Sequence, residues 1–335
     1  MDNKESKYKK FALVMEMLET PSIIKDFNAK NLEEPVRTIK KTKKVFLTGE
    51  GSSRIFPAKN MIYNALKTNP ELAIYSEGAR QAAELNLKDY VLFAASNSGK
   101  TKEVISLFMG KKAHSKFALT QNTKSPLKKY SNKTFILNCG NEKAVSATKS
   151  VIEEALFYHD LLLNIFGNGI SKNTLNELSE KASKVLEMKL NKKIISKTSK
   201  ARVLYFAGRN NGVAEEAALK TNEITRKKSC YLEGTYAVHG IEEAMDKNEA
   251  IVLIEPFKEE EKKFMEVLVN GVGMHVIAIS SRKTLFPTIK IPSMKDYDTY
   301  LQLLACWNLL VEIGINLGIN IDKPKRARKI GNEIK

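Results

Sequence analysis

The chain has 335 residues, of which 43% are hydrophobic, so two domains with buried cores are expected and wholesale disorder is excluded. No apolar stretch approaches the roughly 20 residues that span a bilayer, and the charged start lacks an apolar signal core, which predicts a cytoplasmic protein without a membrane partner. The formal net charge is +17, but the lysines are spread along the chain without interleaved aromatics. We therefore expect a generally basic composition with modest steering of anionic substrates, and no nucleic-acid partner.

The first half of the chain alternates helical segments with short apolar strands. An N-terminal segment, residues 1–37, is predicted to be mostly helical over 8–31, with Pro21 ending the first helix and a second beginning at Ser22. Apolar runs then predict five strands, at residues 44–49, 73–75, 90–95, 116–120 and 134–137. Helices are predicted after the first strand, up to Lys67, and over 146–166.

The second half repeats this order after a break at Gly167–Gly169 and a polar linker helix over 171–198. Strands are predicted at residues 203–208, near 230, and at 250–254, 275–279 and 288–292, with helices over 213–226 and 298–317. Apolar strands alternating with helices predict the α/β class, with two doubly wound parallel sheets. The predicted parts are residues 1–37, a first domain 38–166, a linker 167–199, a second domain 200–318 and a C-terminal tail 319–335.

The strongest local signal for function is the run Ser96–Thr101, which reads Ser-Asn-Ser-Gly-Lys-Thr and is here called the serine loop. It lies where a buried strand is predicted to turn into a helix. Hydroxyls and unpaired backbone N–H groups at a helix N-terminus favour an anion. Ordinary helix capping explains one hydroxyl but not three, and a Walker loop needs an earlier glycine that is absent. The pattern predicts a phosphate cradle.

A second signal is the turn Thr48–Ser53, which follows the first predicted strand. Its glycines permit close backbone approach, but Arg54 stands where a dinucleotide fingerprint needs a third glycine, which argues against a nicotinamide site. This turn and the serine loop follow strands of one predicted sheet and could therefore face one crevice. The cysteine spacing fits neither a disulfide framework nor a zinc site. We expect no cofactor and no metal.

Three residues in the second half carry weaker signals. Lys220 and Glu223 are three apart in a predicted helix and share one face; on spacing alone a solvent-exposed pair is the simpler interpretation. His239 lies in a loop-like stretch and could move protons near neutral pH. Taken alone, a structural histidine is the simpler interpretation of that residue too.

Six segments in the right order, covering nearly the whole chain, resemble the isomerase part of glucosamine-6-phosphate synthase, which is built of two sugar isomerase (SIS) domains. The serine loop resembles the phosphate loop Ser-Gln-Ser-Gly-Glu-Thr, and residues 142–149 resemble Glu-Ile-Gly-Val-Ala-Ser-Thr-Lys. The other matches are residues 17–21 with a Glu-Gln-Pro segment, 51–53 with Gly-Thr-Ser, 216–224 with Glu-Gly-Ala-Leu-Lys-Leu-Lys-Glu-Ile, and 322–329 with Asp-Gln-Pro-Arg-Asn-Leu-Ala-Lys.

The resemblance implies a role for each matching residue. Glu223 would move the proton between C1 and C2 of an open-chain sugar, and Lys220 would stabilise the enediol charge. His239 would reach in from a neighbouring subunit to help open the ring, which implies a homodimer or higher homo-oligomer. Lys329 would act near the ketose carbonyl. The sugar phosphate would be bound by Ser52, Ser53, Ser96, Asn97, Ser98, Thr101 and Val145.

The chain also departs from the family pattern. It has no glutaminase domain and no N-terminal cysteine nucleophile, so glutamine is not expected to supply ammonia. Ala147 replaces a serine of the family motif, and Ile241 replaces a proline. Asn97, with its shorter side chain, replaces a glutamine, and Gly234 lies one position before the glycine of the family. These departures concern the substrate rather than the fold.

Two functions from different classes follow from these residues. The first is an isomerase, deaminase or deglycase for a phosphorylated amino sugar or ketosamine. The second is a sugar-phosphate-binding sensor without catalysis. A structural or nucleic-acid role ranks third.

Overall fold

The computed structural model describes residues 1–2, 4–68, 71–329 and 332, and it divides the chain into two compact units. The first-sheet unit comprises Ser22–Glu142, Ala147–Glu177 and the described residues from Arg328 onward. The second-sheet unit comprises Met1–Pro21, Lys143–Ser146 and Leu178–Ala327. No helix in the described part of the chain is long and apolar enough to cross a membrane.

The N-terminal helices are α1 (Ser6–Lys9) and α2 (Ala12–Asp26). The prediction that Pro21 ends the helix is wrong, because α2 runs through this residue without a break. A proline inside a helix costs about 3 kcal/mol, since it removes one hydrogen bond and crowds the preceding turn. Burial of side chains along α2 offsets this cost, and Leu13, Met17 and Ile24 are fully buried.

The first-sheet unit is built on five parallel strands in the order β2-β1-β3-β4-β5. Residues Val91–Ala95 are all buried, which explains why this strand reads as a continuous apolar run. The strands are β1 (Lys44–Gly49), β2 (Ala73–Gly78), β3 (Val91–Ala95), β4 (Ser115–Thr120) and β5 (Lys133–Ile136). The helices are α3 (Glu33–Thr42), α4 (Ile55–Thr68), α5 (Ala79–Ala82), α6 (Lys102–Gly110), α7 (Leu127–Tyr130) and α8 (Lys149–Phe166).

The expected linker helix is two helices, α9 (Lys172–Glu187) and α10 (Lys192–Lys200). The break has a local cause, because the Asn191 side chain accepts a hydrogen bond from the Lys193 amide at 2.8 Å and begins a new helix. Hydrophobic periodicity does not indicate this break, because the sequences of α9 and α10 both keep a helical pattern.

The second-sheet unit repeats the same topology, with parallel strands in the order β10-β9-β8-β6-β7. Its strands are β6 (Val203–Gly208), β7 (Lys228–Glu233), β8 (Ala250–Ile254), β9 (His275–Ser280) and β10 (Thr288–Lys290). Its helices are α11 (Val213–Thr225), α12 (Glu261–Phe264), which continues as a π-helix over Met265–Gly271, and α13 (Asp298–Asn316). The predicted class, α/β with two doubly wound parallel sheets, is confirmed.

Candidate functional site

Both glycine-containing turns of the first half lie at the switch point of the first sheet. The strand order places β1 beside β3, with successive strands extending outward on either side, and ligands of such sheets bind beyond the carboxyl ends at this point. A Cβ atom on Gly49 would lie 2.9 Å from the carbonyl oxygen of Ala95, so only glycine fits between the strand ends. The prediction that the turn and the serine loop follow strands of one sheet is confirmed.

The serine loop is held from behind by residues 120–125. The Asn97 carbonyl accepts from Thr120 Oγ1 at 3.0 Å, and the Gly99 carbonyl accepts from Ser125 Oγ at 2.7 Å. The Ser98 carbonyl accepts from Asn122 Nδ2 at 2.9 Å. Two of the amides that follow these carbonyls also donate within the loop: the Gly99 amide to the Ser96 carbonyl at 2.8 Å and the Lys100 amide to Ser98 Oγ at 3.2 Å. The conformation of the serine loop is therefore fixed by hydrogen bonds from both sides.

The hydroxyls of the serine loop do not cap helix α6. Thr101 directly precedes this helix, yet its side chain makes no capping hydrogen bond. Its Oγ1 lies 3.0 Å from Ser96 Oγ, and Ser98 Oγ accepts from the Lys100 amide at 3.2 Å. The simpler explanation, ordinary helix capping, is therefore not what these hydroxyls do. Hydroxyls beside a helix N-terminus form a set of donors suited to a phosphate.

At Gly99 of the serine loop, any side chain would clash with its neighbours. Its φ is +61°, and a Cβ atom would lie 2.3 Å from Ser125 Oγ and 2.7 Å from Thr120 Oγ1. The same two hydroxyls bind the loop carbonyls, so the close approach that requires glycine also fixes the loop conformation.

Four further residues predicted to bind the substrate differ in their burial and in their hydrogen bonds. Ser52 is buried, and Ser53 Oγ donates to Glu154 Oε1 at 3.2 Å. Asn97 is half-buried, with its Oδ1 3.6 Å from the Cys139 thiol. The Val145 amide donates to the Asp322 carbonyl at 3.1 Å, within the second-sheet unit.

Lys220 and Glu223 form the centre of a buried charge cluster in the second-sheet unit. The Lys220 side chain is fully buried, and its Nζ lies 3.0 Å from Glu223 Oε2 and 3.2 Å from Glu216 Oε1. The simpler interpretation of a solvent-exposed pair is wrong, because Lys220 is fully buried and the Glu223 side chain is only 21% exposed. Burial alone would lower the pKa of Lys220, but the charges of Glu223 and Glu216 outweigh it and raise that pKa. The two carboxylates therefore favour the charged form of Lys220.

A serine from another part of the chain completes this cluster. Ser146 Oγ donates to Glu223 Oε2 at 2.8 Å, and Ser146 is itself buried. Glu216 could have been found from the sequence, since it lies one helical turn before Lys220. Ser146 could not, because 77 residues separate it from Glu223 and no local pattern joins them.

Lys329 is the residue of the C-terminal tail for which the resemblance implies a catalytic role. It pairs with a buried carboxylate of the first-sheet unit. Its Nζ lies 3.1 Å from Glu142 Oε2, and Glu142 also accepts from the Thr148 amide at 2.7 Å and the Ser150 hydroxyl at 2.8 Å. Burial raises the pKa of Glu142, but the Lys329 charge and these hydrogen bonds outweigh it and lower that pKa. Further along, the Asn332 carbonyl accepts from the Lys102 amide at 3.1 Å, at the start of α6.

His239 is exposed, and no hydrogen bond within the described residues joins it to Lys220, Glu216 or Glu223. It follows a short 3₁₀ turn, Tyr236–Val238, and precedes Gly240, whose φ is +106°. It lines an open depression of about 660 Å³ together with Glu233, Tyr236 and Phe257. His239 is therefore not a core residue, in contrast to the structural role that is its simpler interpretation from the sequence.

No family model and no curated protein matches the sequence. Solved structures, in contrast, match almost the whole chain. Tagatose-6-phosphate ketose/aldose isomerase from Escherichia coli matches with a TM-score of 0.78 at 15% identity, over 96% of this chain and 97% of that one. The C-terminal domain of glucosamine-fructose-6-phosphate aminotransferase from Francisella tularensis matches with a TM-score of 0.74 at 18% identity, over 96% and 100%.

Glucosamine-6-phosphate deaminase from Thermotoga maritima matches with a TM-score of 0.74 at 20% identity, over 97% of this chain and 99% of that one. The chain shares the fold of these structures. The fold implied by the six resembling segments is thus confirmed. Sequence identities of 15–20% show that the fold is shared, but they do not show that the activity is shared.

The second sheet, all of whose strands are described, has no counterpart of the serine loop at its own switch point. There Arg209 lies over the Phe257 ring, 4.2 Å from its centroid, and donates to the Glu255 carbonyl at 2.5 Å. The Glu255 carboxylate accepts from Ser280 Oγ at 2.8 Å and the Ser281 amide at 2.9 Å. The two sheets share a topology, but of these two described switch points only the first carries the three hydroxyls of a serine loop.

Proposed function

We propose that this protein is an aldose–ketose isomerase, deaminase or deglycase of the cytoplasm that acts on an amino-sugar or ketosamine 6-phosphate. The observation that carries the proposal is the Lys220–Glu223 pair: a fully buried cation holds one oxygen of a carboxylate whose side chain remains 21% exposed. A carboxylate with a cation beside it suits proton transfer between adjacent carbons, because the cation stabilises the negative charge that develops on the sugar oxygens.

In this proposal the serine loop, with Ser52, binds the phosphate. Ser53, whose Oγ donates to Glu154 Oε1, and Val145 are the other residues that bind the substrate in this proposal. Glu223 moves the proton, and Lys220 stabilises the enediolate. His239 acts from a neighbouring subunit in ring opening, for which its exposure is favourable, and Lys329 acts near the ketose carbonyl.

The test is a panel of glucosamine 6-phosphate, fructose 6-phosphate with ammonia, and fructosamine 6-phosphate. Turnover and incorporation of solvent deuterium at C1 or C2 are measured by NMR. With a responsive substrate, Glu223→Gln should lower kcat at least about 100-fold, as expected for loss of a general base. Glu266→Gln, at an exposed glutamate on the π-helix, is the matched control and should not change kcat.

Unchanged turnover in Glu223→Gln would contradict the mechanism. Binding of a sugar phosphate without turnover or deuterium exchange across the whole panel would instead support the alternative function, a sensor. Loss of that binding in Ser98→Ala would show that the sensor uses the same loop.

A further inference from the structure

Two donors converge on the same oxygen of Glu223. Oε2 accepts from Lys220 Nζ at 3.0 Å and from Ser146 Oγ at 2.8 Å. No hydrogen bond to Oε1 is present among the described residues, and the side chain keeps 21% of its surface exposed. One oxygen of the carboxylate is therefore held inside the protein, while the other remains available.

The two donors together fix an orientation that one donor would not. The terminal torsion of a glutamate is broad, so a carboxylate with a single donor can rotate about that contact. Lys220 approaches along helix α11, on which Glu223 itself lies, whereas Ser146 belongs to the separate segment Lys143–Ser146. Hydrogen bonds from two directions to one oxygen define the plane of the carboxylate and the direction in which Oε1 points.

The segment that carries Ser146 is itself firmly held. The Glu16 carboxylate accepts from the amides of Lys143 and Ala144, and the Val145 amide donates to the Asp322 carbonyl at 3.1 Å. Ser146 is only 2% exposed. A donor on a rigid, buried support positions its partner more accurately than one on a mobile loop.

We propose that Ser146 is a positioning residue that aims the Oε1 atom of Glu223 at the sugar carbons. This inference rests on the proposed function. The family motif that resembles residues 142–149 has alanine followed by serine where this chain has Ser146 followed by Ala147. The hydroxyl has moved by one residue, and in this chain it contacts the base.

In the reaction, Oε1 takes the proton from one of the two carbons. In the aldose–ketose step, the electron pair of that C–H bond forms the C1–C2 double bond, and the carbonyl π electrons move onto the carbonyl oxygen, giving an enediolate. The hydroxyl proton on the second oxygen then moves to the first oxygen, and its O–H electron pair forms the second carbonyl. The C1–C2 π electrons take the proton back from Oε1 at the other carbon. Both proton transfers at carbon use one oxygen of a carboxylate that must not rotate between them, which is the role assigned to Ser146.

The test compares Ser146→Ala, Ser146→Thr and the control Ser179→Ala. Ser179 is also buried in the second-sheet unit and donates a hydrogen bond of 2.7 Å, but to the Pro21 carbonyl. Ser146→Ala should lower kcat and deuterium exchange about 10- to 100-fold, as expected for a lost hydrogen bond to a charged group, and change KM less than about twofold. Ser146→Thr, which keeps the hydroxyl, should restore most of kcat, and Ser179→Ala should leave kcat unchanged.

A kcat for Ser146→Ala equal to wild type, or lowered no more than in Ser179→Ala, overturns the inference while Glu223 keeps its proposed role. If the wild type exchanges deuterium into no sugar of the panel, the proposed function falls and the inference falls with it. A crystal structure of Ser146→Ala gives a readout independent of turnover. A rotated Glu223 carboxylate supports positioning by Ser146, and an unmoved one overturns it.

Discussion

Lys329 Nζ and Glu142 Oε2 lie 3.1 Å apart, although 187 residues separate them in the chain. Glu142 is buried, and Lys329 supplies the charge that helps to keep it ionised. This part of the C-terminal tail thereby belongs to the unit that carries the serine loop.

Lys329→Ala should destabilise the protein at neutral pH by about 1–2 kcal/mol, because a buried carboxylate loses its cation. The pKa of Glu142 is lowered in the folded protein, so its contribution to stability is complete above the unfolded pKa and is lost as pH falls through the folded value. Removing Lys329 raises that folded pKa and moves acid unfolding to higher pH. Circular dichroism as a function of pH measures the shift, and Lys325→Ala, at an exposed lysine of the tail, should show none.

Gly99→Ala should destabilise the protein by at least about 2 kcal/mol, since strain from positive φ adds to a steric clash with the Ser125 and Thr120 hydroxyls. Gly140 is a matched control, with φ of +67° and open space where a Cβ atom would lie. Gly140→Ala reports the strain alone. Urea unfolding of both variants isolates the cost of the clash, and equal losses of stability would show that the serine loop adapts freely.

Lys220→Met should destabilise the protein by about 3–5 kcal/mol, because it leaves the Glu216 carboxylate in the interior without its cation. Adding Glu216→Gln removes that charge and should recover a large part of the loss. Thermal and urea unfolding of the two single variants and the double variant form a thermodynamic cycle. Additive losses would contradict coupling between these side chains.

His239→Ala and Glu223→Gln should complement each other if His239 serves the neighbouring subunit. Each variant alone should be nearly inactive. Equal mixtures, unfolded and refolded together, should recover about a quarter of wild-type activity, since half of the dimers are mixed and each has one intact site. The assay is turnover with the responsive sugar phosphate. Recovery no greater than the sum of the separate variants would place His239 in its own subunit's site.

The sequence by itself determined the two sheets and the position of the serine loop. Buried parallel strands read as continuous apolar runs because both of their faces are covered, and loops that follow such strands must meet at one edge of the sheet. The order of the apolar runs along the chain was therefore enough to place the serine loop and the Thr48–Ser53 turn at the same edge.

Only the tertiary structure decided what surrounds Glu223. The spacing from Lys220 says that two side chains share a helix face, but it does not say whether that face is covered, and here the Lys220 side chain is fully buried. Nor can local patterns assign Ser146 to Glu223 or Lys329 to Glu142, because these partners are distant in sequence and meet only through the packing of whole elements. Pro21 likewise lies inside a continuous helix since burial offsets a local preference.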